Sequence, residues 1–242
     1  MVGDVSRHPF ELEIQLLLLK DPILLVMFLP ALLFALTFHE AAHAWMALRL
    51  GDPTARMLGR LTLNPAAHLD LFGSIAVLLI GFGWAKPVPF DPRNFRSPRR
   101  DILLTAAAGP ASNLILAILS GITIRVMLDQ GWGTSMTEGF WHSIGRIVGL
   151  ALVLNLQLAF FNLIPLPPLD GSKILSGIVP RELDRYVWRL EQIGPMLLFG
   201  LIMVGMLTRI SVFWVIIGPP VSLLCHLLSG LPIGYLYALI YA

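Results

Sequence analysis

The sequence predicts an all-α integral membrane protein with five to six transmembrane helices, and three observations predict this class. Of its 242 residues, 56% are hydrophobic and 13% are charged, whereas soluble domains carry about 25% charged residues. The mean hydropathy is +0.77. The apolar residues also form runs of the length that crosses a bilayer, about 20 residues for a helix. The net charge is only +2 and the basic residues fall in loops, so no nucleic-acid-binding surface is predicted.

Five apolar segments are long enough to span a membrane: residues 22–50, 101–126, 143–164, 192–208 and 211–229. The tail after residue 230 is too short to cross alone and is expected at the membrane interface. The first 20 residues carry acids before their leucines and no cleavage-site pattern, so we expect no removable signal peptide. The chain is predicted to form one membrane-embedded domain, with its core in 22–180 and C-terminal helices in 181–242.

Segment 69–85 is ambiguous between a sixth span and a re-entrant segment. It has about 17 residues, the short end of the spanning range, and Gly73, Gly81 and Gly83 interrupt it. The distribution of lysine and arginine can distinguish the two topologies, because cytoplasmic loops are enriched in these residues. Of the 17 basic residues, 11 share one side if the segment spans and 12 if it dips in and returns. The charge distribution therefore favours re-entry by a narrow margin.

The stretch "FHEAAHAW" at 38–45 places three ionisable groups inside an apolar run. His39 and His43 are four apart and lie on one helix face, where both imidazoles can bind one zinc ion. Glu40, beside the first histidine, can act as general base for a water at the metal. The alternative is polar packing between helices, but ionisable groups inside a membrane cost roughly 2.5–3.5 kcal/mol each. The H-E-x-x-H pattern therefore predicts a zinc site.

A catalytic zinc site usually has three protein ligands, so a third must come from elsewhere. The stretch "FNLIPLPPLDGSKIL" ends its helix at three prolines and places Asp170 on broken backbone, next to Gly171, which permits a close approach. Asp170 is therefore the first candidate, with helix capping as the alternative. His68 is a second candidate for the third ligand.

Other polar residues near these motifs have simpler interpretations. Asn64, His68 and Asp70 are expected in turn and helix-cap contacts, and contact with the metal-binding imidazoles is the alternative. Asn162 is expected to satisfy backbone groups near the prolines rather than to act in catalysis.

Three stretches resemble the site-2 protease family of intramembrane zinc metallopeptidases, in its compact prokaryotic branch without a PDZ domain. They are "FHEAAHAW", "AAAGPASN" at 106–113 and "NLIPLPPLDG" at 162–171. The resemblance covers most of residues 25–180. It implies that His39, His43 and Asp170 bind one zinc ion and that Glu40 is the catalytic base. It also implies that Asn113 holds the substrate or polarises its carbonyl.

The residues of this site can meet only if the first span ends, the second begins and the third ends on the same face of the membrane. This arrangement also favours re-entry of segment 69–85. We therefore expect an intramembrane zinc endopeptidase that cuts other proteins in or near their transmembrane segments. Its partners would be a transmembrane substrate and the lipid bilayer. It would lie in a prokaryotic plasma membrane with the site toward the cytoplasm. The alternatives are a zinc-binding membrane protein without protease activity, either a transporter, which needs no base such as Glu40, or a scaffold that binds transmembrane helices.

Overall fold

The computed structural model describes residues 22–80, 83–132, 139–208 and 212–241, and these residues form helices with no strand among them. The first 20 residues and Gly81, for which expectations were stated, lie outside this part. The α-helices in the described part are α1 (Pro22–Arg49), α2 (Thr54–Met57), α3 (Leu71–Ile80), α4 (Pro98–Asp129), α5 (Phe140–Leu163), α6 (Asp170–Ile178), α7 (Asp184–Thr208), α8 (Val212–Ser229) and α9 (Ile233–Tyr241).

Five of the described helices are long and apolar enough to cross a membrane: α1, α4, α5, α7 and α8. The predicted all-α membrane class is thus confirmed. A shared core combines buried residues of four of them, α1, α4, α5 and α8, with those of α9. Large apolar side chains remain exposed on the outer faces of α4, α7 and α8, as expected of surfaces that contact lipid rather than water.

The two described ends of the segment at 69–85 lie side by side, as expected of a re-entrant segment. Helix α3 has 10 residues, a length of about 15 Å, half of a bilayer core of about 30 Å. The two ends of the segment meet, because Leu69 pairs with Ala85 in an antiparallel bridge and the Lys86 N–H donates to the His68 carbonyl at 2.8 Å. A Cβ at Gly73 would overlap the carbonyl of Trp84. The returning chain therefore packs directly on the start of α3.

The C-terminal tail forms α9 and packs against the other helices, and its position at the membrane interface stays a prediction. Ile233, Leu236 and Ile240 of α9 are buried in the shared core. Arg146, near the start of α5, donates from Nε and Nη2 to the Ile240 carbonyl at 3.0 and 2.8 Å. These bonds satisfy a carbonyl at a helix C-terminus, which has no partner within its own helix.

Helix α7 contributes an outer wall beside the proline turn that follows α5. Gly194 lies against the ring of Pro167. Leu198 is buried in a small cluster with Leu169 and with Phe213 of α8. Phe213 also stacks edge-on against Phe161 at 5.3 Å between ring centroids. The ends of α5 and the beginnings of α6 and α8 therefore lie on one side of the bundle.

Candidate metal centre

His39, His43 and Asp170 come together in the interior of the bundle. Oδ2 of Asp170 lies 3.1 Å from Nε2 of each histidine, and the three residues are 4%, 8% and 8% exposed. Their donor atoms form the one group in the described residues that can hold a metal ion. Tetrahedral zinc with bonds of about 2.0–2.1 Å separates its ligand atoms by about 3.3 Å. The donor set and its spacing therefore fit zinc.

The proline turn brings Asp170 to this position. Helix α5 ends at Leu163 and α6 begins at Asp170, as predicted from Pro165, Pro167 and Pro168. A Cβ at Gly171 would overlap the carbonyl oxygens of Leu163 and Ile164. Glycine therefore lets the start of α6 pack directly on the end of α5.

Backbone and amide contacts fix which nitrogen of each histidine faces the metal position. Nδ1 of His43 lies 2.7 Å from the carbonyl oxygen of Thr105. Because a carbonyl only accepts, Nδ1 carries the proton and Nε2 keeps its lone pair. Nδ1 of His39 lies 2.6 Å from Oδ1 of Asn113 and donates to it in the same way. Metal-binding histidines usually donate their other ring N–H to such an acceptor.

Asn113 lies behind His39 rather than in the cavity. Its Nδ2 donates to the Ala35 carbonyl at 3.2 Å and to Oδ1 of Asn155 at 2.8 Å, which leaves Oδ1 for His39. The side chain is 0% exposed. Every polar atom of the amide thus has a protein partner, and the substrate contact that the family resemblance implied stays a prediction.

A cavity of about 390 Å³ opens on the metal centre. Its walls come from α1, α4, α5, α6, α7 and the extended residues 83–90, and they include Glu40, Thr105, Phe161, Asn162 and Lys173. Glu40 is 9% exposed and has no hydrogen bond or ion pair within the described ranges. Its carboxylate is therefore available for proton transfer.

Asn162 is the asparagine that lines the cavity, and sequence reasoning ranked it below Asn113. Its Nδ2 donates to the Leu158 carbonyl at 3.0 Å, one turn earlier in α5. The expected backbone contact is therefore present, and the side chain also borders the cavity. The signal that could have identified it is its position eight residues before Asp170, at the end of the helix that leads to the turn.

The residues before α3 make the turn and cap contacts that were expected. Asn64 accepts from the Ala66 N–H at 3.1 Å and Asp70 from the Gly73 N–H at 2.8 Å. His68 Nε2 lies 2.9 Å from the Thr62 carbonyl. The alternative of His68 as third ligand was wrong, because its ring is held in this loop.

Asp52, just after α1, forms hydrogen bonds with the segment that follows the extended cavity wall. Its carboxylate accepts from the N–H of Thr54 at 3.0 Å, from the N–H of Asp91 at 2.8 Å and from Nδ2 of Asn94 at 2.8 Å. Burial acts to raise the pKa of Asp52, but these hydrogen bonds outweigh it and hold the pKa below its ordinary value. The end of α1 and residues 91–94 are thus tied together.

Comparisons with known proteins agree with this centre. Residues 126–204 match peptidase family M50. The chain is 44% identical over 163 residues to "Putative zinc metalloprotease YwhC" of Bacillus subtilis (strain 168), covering 67% of this chain and 74% of that protein. It is 31% identical over 182 residues to "Putative zinc metalloprotease Rip2" of Mycolicibacterium smegmatis, covering 73% of this chain and 66% of that protein.

No solved structure matches the chain. The identity to the Bacillus protein extends over most of both sequences, and the helices and the zinc-compatible centre agree with it. The chain belongs to the site-2 protease family, peptidase family M50.

Proposed function

We propose that the protein is an intramembrane zinc endopeptidase that hydrolyses peptide bonds in or near transmembrane segments of other membrane proteins. The observation that carries the proposal is the joining of His39 and His43 with Asp170, 131 residues after His39, into one buried group on a cavity. Four of the helices around this cavity have membrane-spanning length and composition: α1, α4, α5 and α7. The family supports metalloprotease chemistry, and the position of the centre supports a membrane substrate.

The depth of the centre favours cleavage within the membrane. His39 lies 10 residues before the end of α1 at Arg49, a distance of about 15 Å along the helix axis. A soluble loop would have to extend through the cavity to reach this depth. The carbonyl groups of a helical substrate are hydrogen-bonded within the helix, so the substrate must unwind locally before its backbone reaches the centre.

The side chains around the cavity have different roles in the proposed reaction. A zinc ion held by His39, His43 and Asp170 would supply a Lewis acid that polarises the scissile carbonyl and lowers the pKa of water. Glu40 takes a proton from the attacking water and returns it to the leaving amine. Asn162 offers an amide on the cavity wall that can hold the substrate backbone. None of these roles requires Asn113 to contact the substrate.

We place the centre toward the cytoplasm of a prokaryotic plasma membrane. The loops that flank the centre, between α1 and α4 and between α5 and α7, carry 12 of the 17 lysine and arginine residues when the helix ends that border these loops are included. Basic residues are enriched in cytoplasmic loops. Labelling of single cysteines introduced at Arg96 and at Asp129, with Cys225 replaced by alanine, tests this orientation in intact cells.

The proposed activity is tested with Glu40→Gln, which keeps the shape of the side chain and removes its basicity. Membrane fractions of cells that produce either protein are compared for new peptide termini by quantitative mass spectrometry. We expect fragments of membrane proteins in the wild type and their loss in Glu40→Gln. Glu191→Gln, a change at an exposed glutamate of α7, is the matched control and should leave the fragments unchanged. The same fragments in Glu40→Gln cells would favour a scaffold without protease activity.

A further inference from the structure

Three residues spaced four apart form the face of α4 that lies against the metal centre. Thr105, Gly109 and Asn113 lie on one side of the helix, because residues four apart are neighbours on a helix surface. The outer two hold the two rings, with the Thr105 carbonyl on His43 and the Asn113 amide on His39. Gly109 lies between them and faces both Nε2 atoms.

The absent side chain of Gly109 leaves space that the centre needs. A Cβ at this position would lie 2.6 Å from Nε2 of His39 and closer still to Nε2 of His43. Zinc binds such nitrogens at about 2.0–2.1 Å. A methyl group would therefore compete for the volume around the two ligand atoms.

The two rings have little freedom to move away from such a methyl group. Each is held at Nδ1, by hydrogen bonds of 2.6 Å for His39 and 2.7 Å for His43. The rings also pack against one another edge-on, with centroids 4.7 Å apart. A rotation that relieved the overlap would break a buried hydrogen bond and turn Nε2 away from Asp170.

Backbone geometry offers a competing reason for glycine. Gly109 precedes Pro110 inside α4, and a proline disfavours helical geometry in the residue before it when that residue has a Cβ. Its φ is not in the left-handed region, so no turn requires glycine there. The experiment must therefore separate the effect of the proline from the need for space.

We propose that Gly109 is a positioning residue of the metal centre, which keeps open the space between the ligand nitrogens so that a single added methyl group weakens zinc binding. The inference rests on the proposed metal centre. It assigns the glycine of the "AGPASN" stretch to the metal rather than to helix packing.

The test compares zinc content and zinc affinity of detergent-purified variants stripped with chelator and titrated with zinc. The variants are Gly109→Ala, Pro110→Ala and the double change, in which the effect of the proline on residue 109 is absent. The matched control is Gly149→Ala in α5, where a Cβ would meet Ile240 and Leu236 at ordinary distances of 3.7 and 3.8 Å.

We expect both variants that carry Gly109→Ala to bind zinc at least about 10–100-fold more weakly than the wild type, the range seen when residues supporting metal ligands are changed. The wild type, Pro110→Ala and Gly149→Ala should each hold about one zinc. In chelator the two variants that carry Gly109→Ala should melt below the wild type, because the added Cβ would overlap the two rings even without zinc. Affinity within threefold of the wild type in either Gly109→Ala variant would overturn the inference. A wild type without zinc would instead overturn the metal centre.

If Gly109→Ala does not fold, a second variant decides the matter. Adding both His39→Ala and His43→Ala removes the two rings that a methyl group at 109 would meet. Recovery of a folded protein would show that the conflict is with the ligand rings and would support the inference. Continued failure to fold would show that Gly109 serves helix packing and would overturn it.

Discussion

Oδ2 of Asp170 lies 3.1 Å from Nε2 of His39 across 131 residues of sequence. The proline turn after α5 and the middle of α1 thus meet at one point, and the same oxygen lies 3.1 Å from His43. This relationship joins two sequence motifs into one centre, and the predictions below test the residues that hold it together.

Asn113→Leu should weaken zinc binding by about 10–100-fold, because it removes the acceptor for Nδ1–H of His39. Asn113→Asp keeps an acceptor there and should bind zinc more tightly than Asn113→Leu. Zinc titration of the stripped proteins measures both. A substrate-contact role would instead leave zinc affinity unchanged in Asn113→Leu and would change only cleavage.

Asn162→Leu should show the opposite pattern. Its side chain lines the cavity and contacts the Leu158 carbonyl rather than a histidine. We expect zinc content equal to that of the wild type and cleavage lower by about 10²–10³-fold, the loss typical when one donor that stabilises a transition state is removed. Cleavage is measured on a substrate identified by the Glu40→Gln comparison. Unchanged cleavage would exclude Asn162 from the chemistry.

Gly171→Ala should both destabilise the protein and reduce zinc binding. The added Cβ would meet the backbone oxygens of Leu163 and Ile164, which cannot move aside as a side chain can. The turn must open, and Asp170 moves with it. Gly200→Ala, where a Cβ has no neighbour within 4 Å, is the control. Equal melting temperatures and zinc contents for the two variants would contradict this role of the turn.

Asp52→Asn should lower the stability of the protein at neutral pH by about 1–2 kcal/mol, because the carboxylate accepts several hydrogen bonds from the segment that returns from the cavity. The pKa of Asp52 is lowered in the folded state. Its contribution is therefore present above the ordinary pKa of 3.8 and is lost as the pH falls through the lower, folded value.

Melting temperatures of the wild type and Asp52→Asn measured from pH 7 downward test this linkage. The difference between them should be largest near neutral pH and should shrink below about pH 4. Asp129→Asn, at an exposed position at the end of α4, controls for the loss of one negative charge. A difference that grows as the pH falls would contradict the stated role of Asp52.

The sequence predicted those parts of the fold and the centre that depend on local patterns. Apolar run length located the spanning helices, and helical spacing placed His39 and His43 on one face. Prolines located the turn that carries Asp170. Each of these features is set by the chemistry of a few neighbouring residues, so a single sequence contains it.

The positions of the two asparagines and of the tail could not be predicted in the same way. Whether Asn113 or Asn162 borders the cavity depends on the rotation of α4 and α5 about their axes, which the packing of the whole bundle determines. The burial of α9 depends on packing against helices far from it in sequence, and Arg146 of α5 adds hydrogen bonds to the Ile240 carbonyl. The role of Asn113 was inferred from the family resemblance alone, which does not give the rotation of α4 about its axis.

The most direct test of the central claim is the zinc content per chain of detergent-purified wild type, Glu40→Gln and Asp170→Asn. We predict about one zinc in the first two proteins, because Glu40 lies beside the centre without being a ligand, and less than about a tenth of that in Asp170→Asn, which loses the charged ligand. About one zinc in folded Asp170→Asn would contradict the three-residue centre.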